Sequence, residues 1–291
     1  MVCVAARRAA PPMSTPVRRG RARSLRARLL ALITDAVGRL TAAWRILSTA
    51  QSRLLDALAR IRPGGRARAA TQEAVRLFQR ALASFDRAIA AFAERWASTD
   101  LPLAYREGAL SMLDIADRPY SVWSWTARHQ ARITGTSAQY YADLMGRLQE
   151  ALRRARAFLR AAQDEARRPD GRFDPQALRR EHPLDTVVYA DNARHPVESW
   201  ARSALSWQAV TTANTGAAQT AFDQLGCTHV QVRDGRDCGW ASHRDPDRAD
   251  GSLRTVEDAL AHPIAHPRCV RELRPYFAPG TRPRLAPGGT T

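Results

Sequence analysis

The chain reads as mainly α. An elongated helical hairpin or bundle is followed by a small α+β C-terminal module with a short hairpin and a loop-rich Cys/His site. Three observations carry that reading. Two long seams of apolar residues at alternating three- and four-residue spacing cover residues 33–96. Aromatics reach only 7% of a chain that is 45% hydrophobic, with Ala supplying much of it, which suits narrow helical stripes better than a thick β-core. Strand-like alternation, and three of the four cysteines, are confined to the region beyond residue 185.

The elements follow in order. Val37, Leu40, Trp44, Leu47, Gln51, Leu54, Leu58 and Ile61 continue a heptad seam from Ile33 with one polar interruption. Arg62-Pro63-Gly64-Gly65 stops that helix. Val75, Phe78, Leu82, Phe85, Ile89, Phe92 and Trp96 form a second seam, so the two helices fold back as an antiparallel hairpin. Asp100 reads as the N-cap of a third helix with Leu101-Pro102 in its first turn. A long helix is expected from about Trp123 to Arg167, carrying Ile133, Tyr140, Leu144, Leu148, Leu152 and Leu159 on one face, with a turn at Arg168-Pro169-Asp170-Gly171. Thr186 to Tyr189 reads as a strand. A helix then runs from Pro196 to Leu225 with Gly226 as its stop, and Cys227 to Val232 alternates as a half-buried strand before the turn Arg233-Asp234-Gly235. The division is a disordered basic tail over 1–23, a helical bundle over 24–184, the α+β module over 185–277 and a second disordered tail over 278–291.

Every cation is Arg, and residues 1–99 hold 19 Arg against 5 acids out of a net charge of +17. Such a half attracts phosphate or carboxylate partners, although a solvated helix face would look the same. Arg18, Arg19, Arg21, Arg23, Arg26 and Arg28 are the residues expected to touch nucleic acid. The apolar run Leu29 to Ile33 ends at Asp35, far short of a membrane span, and the basic start lacks the apolar core of a signal peptide. The expectation is a soluble protein with reduced thiols, made in a cytoplasm.

The chemistry-bearing types gather between Cys227 and Cys269. Cys238 and His243 form a Cys-x4-His pair, and His266 and Cys269 a His-x2-Cys pair. Two thiolates and two imidazoles are the ligand set of a closed structural zinc site, with Cys227 and His262 as reserves. Buried thiols and hydrogen-bonded imidazoles would use the same residues. The loop between the pairs has little apolar material, so a metal clip would hold a region lacking a core of its own. His229 reads as a surface or packing residue. Asp245, Asp247 and Asp250-Gly251 lack the closing Glu of a calcium loop and read as an Asx-rich turn. A nuclease site could be drawn from His243, Asp245 and His266, but four protein ligands leave no position for an activated water.

The run Asp234-Gly235-Arg236-Asp237-Cys238-Gly239-Trp240, then His243 to Gly251 with Asp245 and Asp247, then His262-Pro263-Ile264-Ala265-His266-Pro267-Arg268-Cys269, resembles phage Mu F-like head morphogenesis proteins. More closely, it looks like the minor capsid proteins of actinobacterial tailed phages and prophages. Val188 to Pro196, the helix with Thr211, Thr212, Asn214 and Gly216, and Leu101 to Ala109 are also similar to that family. Ala241 and Arg271 stand where many relatives have cysteines. The resemblance implies a non-enzymatic, low-copy minor capsid protein acting in procapsid assembly beside the portal. It would be made in the host cytoplasm and enclosed in the virion head. Portal, capsid and scaffold proteins would be its partners, packaged DNA a further one, and no membrane is involved. The competing reading is a zinc-dependent nuclease or toxin-like enzyme delivered with the head.

Overall fold

The computed structural model describes residues 24–60, 66–167, 173–189, 191–234, 250–266 and 269–280. Mostly helical, it ends in a small region of short strands, as the composition predicts. Helix α1 (Leu25–Ala59) starts a full two turns before Ile33, because Ser24 caps it, its side chain accepting from the Ala27 amide at 3.2 Å. Leu25 and Leu29 therefore join the buried seam that continues through Leu40, Leu47, Leu54 and Leu58. Helix α2 (Arg66–Arg95) folds back along it, and Trp44 meets Phe85 edge-on at 5.1 Å.

The third helix does not begin where the sequence suggests. The chain passes from α2 through a single π-turn (Trp96–Asp100) straight into α3 (Leu101–Ile115). Asp100 keeps helical dihedrals and makes no cap bond, which corrects its reading as an N-cap. The Leu101 amide donates to the Trp96 carbonyl, five residues back. That wider turn accommodates Pro102, which has no amide to offer the ladder. The Asp100 carboxylate instead receives Arg39 of α1 at 2.5 Å, with Arg95 at 3.7 Å. Arg28 of α1 reaches Glu107 of α3 at 2.5 Å, so α1 runs antiparallel to both α2 and α3.

Helix α4 (Ala127–Arg167) starts four residues later than expected, after a short 3₁₀ turn (Tyr120–Val122). It returns along the same rod, placing Phe158 5.0 Å from Phe78. Its predicted stripe is buried at Ile133, Tyr140, Leu144, Leu148 and Leu152, while Leu159 packs at the core's edge. The turn at 168–171 lies outside the described residues. Asp174 caps α5 (Pro175–Glu181) by accepting from the Gln176 amide at 2.8 Å.

Strand β1 (Thr186–Val188) pairs antiparallel with β2 (Arg194–Pro196), a strand the sequence reading did not include. Asn192 closes their hairpin with φ 62°. Pro196 precedes helix α6 (Val197–Asp223) as its cap residue, and Gly226 follows at φ 65° as the predicted stop. Every residue from Thr212 to Ala221 is buried. A helix covered on all sides is central, and small residues allow that here. Added Cβ atoms at Gly108 of α3 and Gly216 of α6 would lie 1.8 Å from the Ala213 carbonyl oxygen and 2.2 Å from the Tyr105 carbonyl oxygen. The buried residues on either side of position 184 form one continuous cluster.

Strand β3 (His229–Arg233) lies between β4 (Leu253–Thr255) and β5 (Glu272–Tyr276), antiparallel to both. Helix α7 (Val256–Ala261) follows β4, capped by Thr255, whose hydroxyl accepts from the Asp258 amide. The stretch between the two Cys/His pairs is therefore not coreless where it is described. Val256, Ala259 and Ile264 are buried in the common cluster.

Candidate functional site

The C-terminal segment is organised around a buried ion pair. The Arg271 guanidinium, 0% exposed at the side chain, donates to both oxygens of Asp234 at 2.8 and 2.9 Å. Asp234 sits at the end of β3, and Arg271 immediately precedes β5. Paired strands bring the two together across 37 residues of sequence. A fork-to-fork arrangement satisfies both charges at once, the condition for holding them out of water. Arg271 also donates to the His262 carbonyl at 3.2 Å. The Asp234 amide donates to Asp250 at 2.9 Å, and Asn214 of α6 donates to the carbonyls of Pro263 at 2.7 Å and Arg271 at 2.9 Å. This network ties strand, loop and central helix into one unit.

Of the expected metal set, Cys238 and His243 lie outside the described residues. So do Gly235, Gly239, Trp240, Asp245, Asp247 and Pro267 of the motif. His266 and Cys269 are both buried, 6% and 1% exposed, and the Cys269 amide donates to the His266 carbonyl at 2.9 Å across one turn. Half the set is thus brought to one buried place. Among the described residues no group of three or more His, Cys, Asp or Glu is arranged around a metal position. The reserves separate. Cys227 is buried beside β5, where burial pushes its thiol up to about 11, so it holds its proton at neutral pH. His262 is exposed and lies 3.1 Å from Asp258. His229, half-buried, meets the Thr228 hydroxyl at 3.0 Å, consistent with a packing histidine. Gly251, at φ 84°, donates to the Val232 carbonyl in the turn that presents Asp250 to Asp234.

Of the six arginines expected to touch nucleic acid, Arg18, Arg19, Arg21 and Arg23 lie outside the described residues. Arg28 is committed to Glu107, and Arg26 is at the first turn of α1.

Sequence reasoning missed a second buried polar group. His129 of α4, 0% exposed, lies between Tyr105 of α3 at 2.9 Å and Gln224, just past α6, at 3.2 Å. The Gln224 amide nitrogen donates to Nε2, which leaves the ring proton on Nδ1 and makes the Tyr105 oxygen its acceptor. Trp123 and Trp125 wall the pocket. Desolvation holds the imidazole below its ordinary pKa and raises the Tyr105 phenol, so both stay neutral. The only sequence signal was a polar residue one helical turn before the Ile133 stripe.

No protein-family model, curated protein or solved structure matches the chain. No helix among the described residues is long and apolar enough to cross a membrane.

Proposed function

We propose that the chain is a minor capsid protein of a tailed phage or prophage, acting structurally in head assembly next to the portal. The observation that supports this most is the Asp234–Arg271 pair. The acidic residue that opens the Mu F-like motif is buried, and both its oxygens are engaged in cross-linking strands. A carboxylate held out of water by a guanidinium at both oxygens is placed as a structural crosslink between strands. His266 and Cys269, buried in the same region, fit that role too. The arginines at 18, 19, 21 and 23 would then meet packaged DNA through sequence-independent, salt-dependent contacts.

The deciding experiment is co-expression with the portal and major capsid proteins of the phage or prophage that carries this chain, followed by sedimentation of the heads. This chain is expected in the procapsid fraction, at a few copies per particle, only when the portal is present. Its absence from heads assembled with portal would sink the proposal. Metal is tested on the purified protein. Zinc would be held by Cys238, His243, His266 and Cys269, supplying a crosslink and no chemistry, and elemental analysis would find about one per chain. That zinc should be lost in both Cys238→Ala and Cys269→Ala. Metal-dependent DNA cleavage abolished by His243→Ala and His266→Ala would favour the nuclease reading instead.

A further inference from the structure

A shallow groove of about 360 Å3 runs along the outer surface between α1 and α2. Its floor and walls include Ile46 and Thr49 of α1 and Leu77 and Ala81 of α2, and Arg45 and Arg53 stand over it. Ile46 is 44% and Leu77 40% exposed, and the groove brings the two aliphatic side chains together on one surface. Neither arginine has an ion pair among the described residues. No acid lines the groove. The nearby acids are engaged elsewhere or turned aside: Glu73 is taken by Arg76 and Arg80, Asp86 by Arg156, and Asp56 follows Arg53 on α1 without lining the groove. Residues 25–95 hold 13 Arg against 5 acids, so the field around this slot is positive.

We infer that this groove is the docking site for an acidic amphipathic helix of a partner protein. The inference rests on the head-assembly reading only for who that partner is. Two antiparallel helices leave between them a slot into which a third helix packs ridge into groove. Apolar residues of the incoming helix, repeating at i, i+3 or i+4 and i+7, would cover Ile46 and Leu77. Arg45 and Arg53 stand eight residues apart, about 12 Å along α1 at 1.5 Å per residue. They therefore meet carboxylates two turns apart on one flank of the visitor. A phosphate backbone would use the arginines but leave both aliphatic side chains in water, whereas an acidic helix satisfies both features.

The probe is a synthetic peptide helix with Leu at i, i+3, i+4 and i+7 and Glu along one flank, beside a copy carrying Gln for Glu. Fluorescence anisotropy on the purified full chain reads affinity. The Glu peptide should bind, and the Gln peptide about tenfold more weakly or worse. Affinity for the Glu peptide should fall about tenfold or more in Arg45→Glu/Arg53→Glu, and also in Ile46→Ser/Leu77→Ser. Arg87→Glu, exposed on α2 outside the groove, should bind as the parent does. All these positions are on the surface, and circular dichroism checks that each variant keeps its fold. No binding by the parent protein at about 1 mM peptide overturns the inference. Equal loss in Arg87→Glu overturns it as well, because the effect is then general charge. Preference for duplex DNA that ignores Ile46→Ser/Leu77→Ser assigns the surface to nucleic acid and also overturns it. Because these assays need no phage particle, failure here leaves the sedimentation result to stand or fall separately.

Discussion

At the scale of single residues, the Asp234–Arg271 pair dominates the C-terminal region. With side chains 5% and 0% exposed, neither charge can be abandoned to water if its partner is removed. Asp234→Leu or Arg271→Met alone should therefore cost about 3–5 kcal/mol, while Asp234→Leu with Arg271→Met should recover much of it. Urea unfolding of the four proteins measures the cycle, and single losses under about 1 kcal/mol would show that water or a neighbouring group takes over. Half of this pair was legible. Asp234 stands out beside the turn Arg233-Asp234-Gly235, but Arg271 carries no local signal of its own. Nothing local names its partner, because the contact depends on β3 pairing with β5. His129 was illegible for the same reason, its two partners lying 24 and 95 residues away. Its behaviour with pH follows from the direction of its shift. The folded protein holds the ring neutral below the ordinary 6.5, so the unfolded chain takes up its proton first as pH falls. The stability this group contributes is present above about 6.5 and is lost below it, down to the depressed folded value. Urea midpoints at pH 7.5 and 5.5 should fall more for the parent than for His129→Gln. An equal fall would mean that the imidazole is protonated in the folded protein.

Helices were the most legible elements, for a physical reason. Each seam records which face is buried, so the Val37–Leu58 and Phe78–Trp96 stripes appear in the core as read. Ends were less legible. Asp100-Leu101-Pro102 is the same signal whether a helix begins afresh or widens by one residue to pass a proline, and tertiary demand from Arg39 decided the matter. The strands β2, β4 and β5 bury at most one side chain each, so no apolar alternation marks them in the sequence. Glycines on the helices differ just as sharply by context. At Gly108 and Gly216 α3 and α6 touch backbone to backbone, so an added methyl meets a carbonyl that no side-chain rotation can move. Gly108→Ala and Gly216→Ala should each cost about 3 kcal/mol or abolish folding. Gly38→Ala, with nothing within 4 Å of the new methyl, should stabilise α1 by up to about 1 kcal/mol. Thermal melts of the three variants decide it, and a harmless Gly216→Ala would mean that the two helices can separate without loss.

For the whole molecule, the decisive fact is that α6 belongs to two descriptions at once. By sequence it starts the α+β module at residues 185–277, yet its buried face reaches the helical half. Trp200 lies 6.0 Å from Trp44 of α1, and Gln208 accepts from the Trp96 indole at 2.7 Å. Asn214, nearly two turns further on, holds the carbonyls of Pro263 and of Arg271, the residue before β5. Unfolding the C-terminal region alone would strip the cover from Trp44, Trp96 and Tyr105 together. At roughly 25 cal/mol per Å2 of apolar surface, exposing several such rings costs more than a small three-stranded sheet can hold by itself. The composition shift near residue 185 thus marks a change of element type rather than a break in the core. Equilibrium unfolding in urea should be a single transition, with far-ultraviolet circular dichroism and tryptophan fluorescence coincident. The fragment 185–291 expressed alone should lack fixed tertiary structure, and adding fragment 24–184 should restore it. Two resolved transitions, or a cooperatively folded 185–291 fragment, would show that the C-terminal region forms an independent module and that the bundle is an addition to it.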